Sequence, residues 1–161
     1  MSSGNQNGDP LSDLQDFFHL PSSMTVSKSS SSSSSDKSGL FDEANSSGKH
    51  LIADIQDVEN VSMLDDLKNV SIFFDSICEK YDLHILHKID HVFQPQGFSL
   101  IYMLSESHIS IHTFPEKRYA AIDLYTCRQY TDNTVQEEIL QMFMDFFDAK
   151  REHHYILDRT F

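Results

Sequence analysis

Cysteine is scarce in this chain. Among 161 residues there are two, Cys78 and Cys127. They stand in separate segments, with no C-x-x-C and no zinc-type spacing, which argues against a disulfide framework and against a structural metal. A reducing cytoplasm is the expected setting. Basic residues are also few: 12 Lys and Arg face 25 Asp and Glu, for a net charge of −13 and a pI near 4.9. Such a balance disfavours nucleic acid and anionic membrane surfaces as partners and leaves a cationic small molecule compatible. No apolar run reaches the roughly 20 residues needed to cross a bilayer. The N-terminus carries neither the basic-plus-apolar pattern of a signal peptide nor the Arg-rich character of a transit peptide, so export is not expected.

Residues 1–47 are rich in Ser, Asn, Gly and Asp, with unbroken serine from Ser29 to Ser35. A segment so poor in apolar side chains cannot offset its ordering entropy and reads as a disordered tail. Within it, PLSDLQDFFHL, Pro10 to Leu20, has helical spacing and reads as a transient or docking helix. The folded domain is expected over 48–161. Leu51, Ala53 and Ile55 alternate as in a half-buried strand. In MLDDLKNVSIFFDSICEKY, Leu64, Leu67, Ile72, Phe73 and Ile77 trace a helical stripe, with Asp65 and Asp66 at its start. LHILHKIDHVF alternates Leu83, Ile85, His87 and Ile89 on one strand face. After the turn residues Pro95 and Gly97, strands follow in FSLIYML, SHISIHT and YAAIDLYTC. Asp132 to Lys150 reads as a second helix with an Asp cap, and HHYILDRTF as a last strand. The order β-α-β-β-β-β-α-β predicts an α+β two-layer sandwich, two helices on one face of a largely antiparallel sheet.

SESHISIHT, Ser105 to Thr113, is the stretch that calls for chemistry. Alternation puts His108, Ser110 and His112 on one face, with Ile109 and Ile111 on the other. In the next strand Asp123, Tyr125 and Cys127 share a face, and a hairpin pivoting at Glu116 to Arg118 sets Cys127 near Ser107. Several readings compete. A metal pair of His108 and His112 fits a helix, but a strand separates the two by about 13 Å. A Ser107, His112, Asp123 triad lacks a G-x-S-x-G elbow and the helix that should follow it. The plain reading is a polar sheet face turned to solvent or to a second subunit. Against it stands the set of Glu106-Ser107, His112, Glu116 and Cys127 around a proline turn.

ESHISIHTFPEKRYAAIDLYTC resembles the self-processing segment of the bacterial and archaeal type of S-adenosylmethionine decarboxylase. The resemblance runs from GKHL through FQPQGFS to the chain's end, Gly48 to Phe161. It implies a pyruvoyl-dependent enzyme of polyamine synthesis that cleaves itself between Glu106 and Ser107. Ser107 would become the pyruvoyl group, whose ketone forms a Schiff base with S-adenosylmethionine, with no added cofactor and no metal. The resemblance makes His112 the acid-base group of processing and Ser99 its processing serine. It makes Cys127 the proton donor after decarboxylation, Phe93 the ring that stacks on adenine, and Glu116 the carboxylate that holds the ribose. It also implies a homodimer of processed units with sites near the interface. Two departures stand beside the pocket: FPEKR replaces Trp-Pro-Glu with its glycine turn, and Arg128-Gln129 follows Cys127 where the family commonly has glycine. They keep open a pyruvoyl-dependent arginine or ornithine decarboxylase; a non-processing regulatory homologue is a separate alternative, against which the intact Glu106-Ser107, His112 and Cys127 count.

Overall fold

The computed structural model describes residues 46–161. The expectations for the tail, including the helix at Pro10 to Leu20, lie outside the described residues.

Six strands and two helices follow in the expected order. They are β1 (Ser46–Val58), α1 (Leu67–Lys80), β2 (Ile85–Val92), β3 (Phe98–Leu104), β4 (Ser107–Phe114), β5 (Tyr119–Thr126), α2 (Thr134–Phe147) and β6 (Ala149–Thr160). The strands form one antiparallel sheet in the order β2-β3-β4-β5-β1-β6. The fold is therefore the α+β sandwich expected, with both helices on one face.

That face is where the core lies. Leu51, Ala53 and Ile55 of β1, Leu100 and Tyr102 of β3, Ile109 and Ile111 of β4, and Ile122 and Leu124 of β5 are all buried. Helix α1 covers them with Val70, Phe73, Phe74, Ile77 and Cys78, and α2 with Ile139, Leu140, Phe143 and Phe147. The helices meet through aromatic rings: Phe73 stacks on Phe146 at 4.2 Å, and Phe74 lies edge-on to Phe143 at 5.6 Å. Each such ring contributes roughly 2 kcal/mol by burial. The stripe expected for α1 shifts slightly, since Ile72 is exposed and Val70 and Phe74 take its share.

Three further boundaries differ from the sequence reading. Residues 61–65 form a 3-10 turn, and α1 starts only after Asp66, whose carboxylate accepts the Asn69 N–H at 3.0 Å. Helix α2 stops at Phe147 because Asp148 turns left-handed, so the last strand already begins at Ala149. Strand β2 does not keep one face from Leu83 to Ile89. A bulge between Ile85 and His87 places Ile85 opposite Leu104 but His87 opposite Met103, which moves the later residues to the other side of the sheet. Leu83 is buried, whereas every residue of β2 is exposed.

Among the described residues, no helix lies on the opposite face of the sheet. One row crosses it from Ile89 through Ile101, Ser110, Asp123 and Ile52 to Tyr155. Ile89, Ile101, Met103, Ile52, Tyr155 and Leu157 are large apolar side chains exposed there.

Candidate active site

Strand β4 has a chemically distinct group at each end. At its start, β3 and β4 are joined by a two-residue turn, Ser105 and Glu106, with Leu104 opposite Ser107. The Glu106–Ser107 peptide is thus the exit from a tight hairpin. Ser107 carries φ of 151°, a conformation L-residues rarely adopt, so the backbone is strained at this residue. On the other side, β5 delivers Cys127, whose N–H donates to the Glu106 carbonyl oxygen at 2.8 Å. A donor on this oxygen polarises the carbonyl and would stabilise negative charge developing on it. Cys127 is exposed and unpaired with sulfur, while Cys78 sits in the core, where burial pushes its thiol up to about 11. Of the two thiols, only Cys127 is available for chemistry.

The Glu106 carboxylate is held tightly. Its oxygens accept from Arg128 Nη2 at 2.7 Å, from Ser105 Oγ at 2.8 Å and from the His84 N–H at 3.2 Å, and His84 Nδ1 lies 3.2 Å away. Burial alone would raise its pKa; the hydrogen bonds from Arg128, Ser105 and His84 prevail and bring it down to about 2.

At the far end of β4, Ser99 and His112 are cross-strand partners, and Ser99 Oγ lies 2.6 Å from His112 Nδ1. They line a cavity of about 240 Å³ together with Phe93, Gln96, Phe114 and Glu116. The turn after β2 shapes its rim: the Phe93 N–H donates to the Gly97 carbonyl at 2.8 Å, and the Gly97 N–H to Asp65 at 2.7 Å. Gly97 has φ of 86°, and a Cβ there would lie 2.9 Å from the Thr113 carbonyl oxygen. Glu116 belongs to a 3-10 turn that Pro115 starts.

The residues singled out from the sequence therefore fall into two groups. Glu106, Ser107 and Cys127 come together at one end of β4; Phe93, Ser99, His112 and Glu116 come together at the other. His112 lies five positions along the antiparallel strand from Ser107, about 17 Å of chain. Within one chain the two groups do not meet. Cys127 lies next to Thr126, the partner of Ser107, as the hairpin argument expected. His108 is on the helix-free face, where its ring is 6.0 Å from that of His50. Sequence reasoning gave no role to Arg128, His84, Gln96 or Phe114. Arg128 left a trace, a bulky cation where the family resemblance leads one to expect glycine, but its partner is 22 positions away and no spacing rule connects them.

Among the described residues, no group of three or more His, Cys, Asp or Glu is arranged to hold a metal ion. No described helix is long and apolar enough to cross a membrane.

Comparison with known proteins gives one answer. The family model for S-adenosylmethionine decarboxylase matches residues 49–160. S-adenosylmethionine decarboxylase proenzyme 2 of Bacillus cereus is 36% identical over 66% of this chain and 83% of its own length. The proenzyme of Methanococcus maripaludis is 37% identical, over 65% of this chain and 88% of its own. The crystal structure of adenosylmethionine decarboxylase from Aquifex aeolicus aligns with a TM-score of 0.64 at 26% identity, over 73% of this chain and 93% of that one.

Proposed function

The chain belongs to the S-adenosylmethionine decarboxylase family, and from that premise we propose that it cuts itself at Glu106–Ser107, converts Ser107 into a pyruvoyl group and decarboxylates S-adenosylmethionine. The product is then the aminopropyl donor of polyamine synthesis. The single observation that carries this reading is the strained Ser107 following a carbonyl that already accepts the Cys127 N–H at 2.8 Å.

The steps balance on this chain's own atoms. Ser107 Oγ attacks the Glu106 carbonyl carbon, the Cys127 N–H stabilises the oxyanion, and the C–N bond breaks to give an ester and a free amine. Loss of the Ser107 Cα proton then breaks the Cβ–Oγ bond, expels the main-chain carboxylate of Glu106 as the new C-terminus and leaves dehydroalanine. Tautomerisation to the imine and attack by water release ammonia and leave a pyruvoyl terminus. The residues present fit such a group, since Ser107 is partly exposed and an exposed thiol stands beside its strand partner. When formed, its ketone supplies the electron sink for loss of carboxylate. Cys127 returns a proton to the α-carbon, Phe93 packs on the adenine, and Glu116 takes the ribose hydroxyls. Ser99 and His112, hydrogen-bonded to each other, move protons during processing.

The architecture supports survival of the cut. Upstream of it lie β1, β2 and β3, downstream β4, β5 and β6. In the sheet β1 is wedged between β5 and β6, and β3 against β4. The two product chains interleave and stay together without a covalent link.

A second copy completes the site. Phe93, Ser99, His112 and Glu116 stand about 17 Å along β4 from Ser107, on a sheet whose helix-free face exposes Ile89, Ile101, Ile52 and Tyr155. A two-fold axis between two such faces, crossing β4 near Ser110, sets the start of one β4 against the end of the other. Each dimer then holds two sites, each drawn from both chains.

The test is direct. Intact-mass measurement of the purified protein is expected to show two chains, the smaller with a blocked N-terminus, and Ser107→Ala is expected to leave one uncut, inactive chain. Carboxyl-labelled S-adenosylmethionine is expected to release CO2 at least tenfold faster than arginine or ornithine. An uncut wild-type chain would return the non-processing homologue, and the reverse substrate order would return the amino-acid decarboxylase.

A further inference from the structure

The mechanism above leaves Arg128 unused, although its guanidinium holds the side chain of the residue just before the scissile bond. Its Nη1 donates to the Tyr81 carbonyl at 2.9 Å and its Nη2 to the Asp82 carbonyl, which fixes the guanidinium against the loop that ends α1. The same Nη2 donates to Glu106 Oε1 at 2.7 Å. The backbone N–H of the preceding residue, Cys127, holds the Glu106 carbonyl. Two consecutive residues therefore grip the residue to be cleaved twice, once by its side chain and once by the oxygen that takes up charge.

From this geometry we infer that Arg128 is a positioning residue for self-cleavage: by anchoring the Glu106 carboxylate to the α1 loop it fixes the Glu106 carbonyl between the Cys127 N–H and the Ser107 hydroxyl. The inference rests on the processing reading and adds to it the device that orients the bond. The glutamate before the serine gains a reason. A carboxylate accepts the guanidinium in a charge-assisted hydrogen bond, which a neutral side chain there would weaken. Lysine would place a single charge and could not span two carbonyls and a carboxylate at once. Arg128 touches no reacting atom; it acts through Glu106. Its charge is not needed to lower any barrier directly, and its effect belongs to the orientation of the carbonyl.

The experiment follows cleavage in time on full-length chains made by cell-free translation, sampled on denaturing gels. Arg128→Ala is expected to cut more slowly by on the order of tenfold to a hundredfold, with Arg128→Lys between it and the wild type. Added guanidinium chloride at millimolar concentration is expected to restore much of the Arg128→Ala rate and leave the wild type unchanged. Glu106→Gln is expected to be slow as well, and the double variant no slower than the slower single one, because both changes remove the same contact. Cooperative melting of an uncuttable Ser107→Ala, Arg128→Ala chain checks folding, and should it fail to melt cooperatively the decision passes to Glu106→Gln and its pairing with Arg128→Lys. Wild-type cutting by either Arg128→Ala or Glu106→Gln overturns the inference, as do strictly additive effects or a slow variant that guanidinium does not help. If the wild-type chain itself stays whole, the processing reading falls and takes the inference with it, an outcome no variant can imitate.

Discussion

Glu106 is where one side chain's ionisation can be read as stability. Its carboxylate titrates near 2 in the folded chain against 4.5 in the ordinary range, because Arg128, Ser105 and His84 hydrogen-bond the charged form more than burial disfavours it. As pH falls, the unfolded chain takes up this proton first. The stabilisation is therefore whole above about 4.5 and disappears as pH falls towards about 2. The uncut Ser107→Ala chain isolates the effect, since no new terminus forms beside the carboxylate. Replacing Glu106 by Gln in that background is expected to cost about 2 kcal/mol at pH 6, allowing for solvent screening, with the difference fading on acidification through pH 4. Urea midpoints at a series of pH values measure it; a gap that stays constant down to pH 2 would show that the contact is not ionic.

At the scale of elements, the start of β1 bears on the cleavage site through a single missing side chain. Gly48 has φ of 121°, and a Cβ there would stand 2.0 Å from the Thr126 carbonyl oxygen and 2.7 Å from Cys127 Cα. Neither can be tolerated, so Gly48→Ala must push β1 away from the end of β5, and with it the N–H that Cys127 gives to Glu106. Self-cleavage is expected to slow at least tenfold, while melting falls by only a few degrees because the strained segment is at the strand's end. A time course of cutting beside a thermal melt separates the two effects. Elements were also where the sequence spoke most clearly and erred most physically. The 3.6-residue stripes of α1 and α2 and the alternation of β4 and β5 were legible because one face of each is buried. Strand β2 was legible as a strand but not in its facing, because its bulge spends one residue without a partner and reverses the alternation after Ile85, and because none of its residues is buried among the described ones. The overrun of α2 to Lys150 has a similar local cause: Asp148 adopts a left-handed turn that no glycine announced.

For the whole molecule, the candidate residues could be named from the sequence, and their grouping could not. Period-two alternation says which face a side chain takes; it does not say that Ser107 and His112, five apart on β4, are too distant to act on one small substrate. Only the strand register divides the set into Glu106, Ser107 and Cys127 at one end and Phe93, Ser99, His112 and Glu116 at the other. A dimer that shares its sites has a consequence that a self-contained subunit cannot reproduce. Take two chains, one carrying Cys127→Ala and the other Glu116→Ala, each inactive by itself because every site in its homodimer lacks one group. In a mixed dimer, one site combines both defects, but the other joins the intact Cys127 of one chain to the intact Glu116 of its partner. Co-expression with different tags and random pairing makes half the dimers mixed, each with one sound site, so about a quarter of wild-type activity is expected. Sequential purification on both tags should raise it to about half. Were each chain to hold a complete site, the mixture would be as inactive as its components. An Ile101→Asp change on the helix-free face, placed in both chains, should abolish the recovered activity and the dimer together, as sedimentation velocity would show, because it puts a carboxylate among the exposed apolar side chains of the proposed interface.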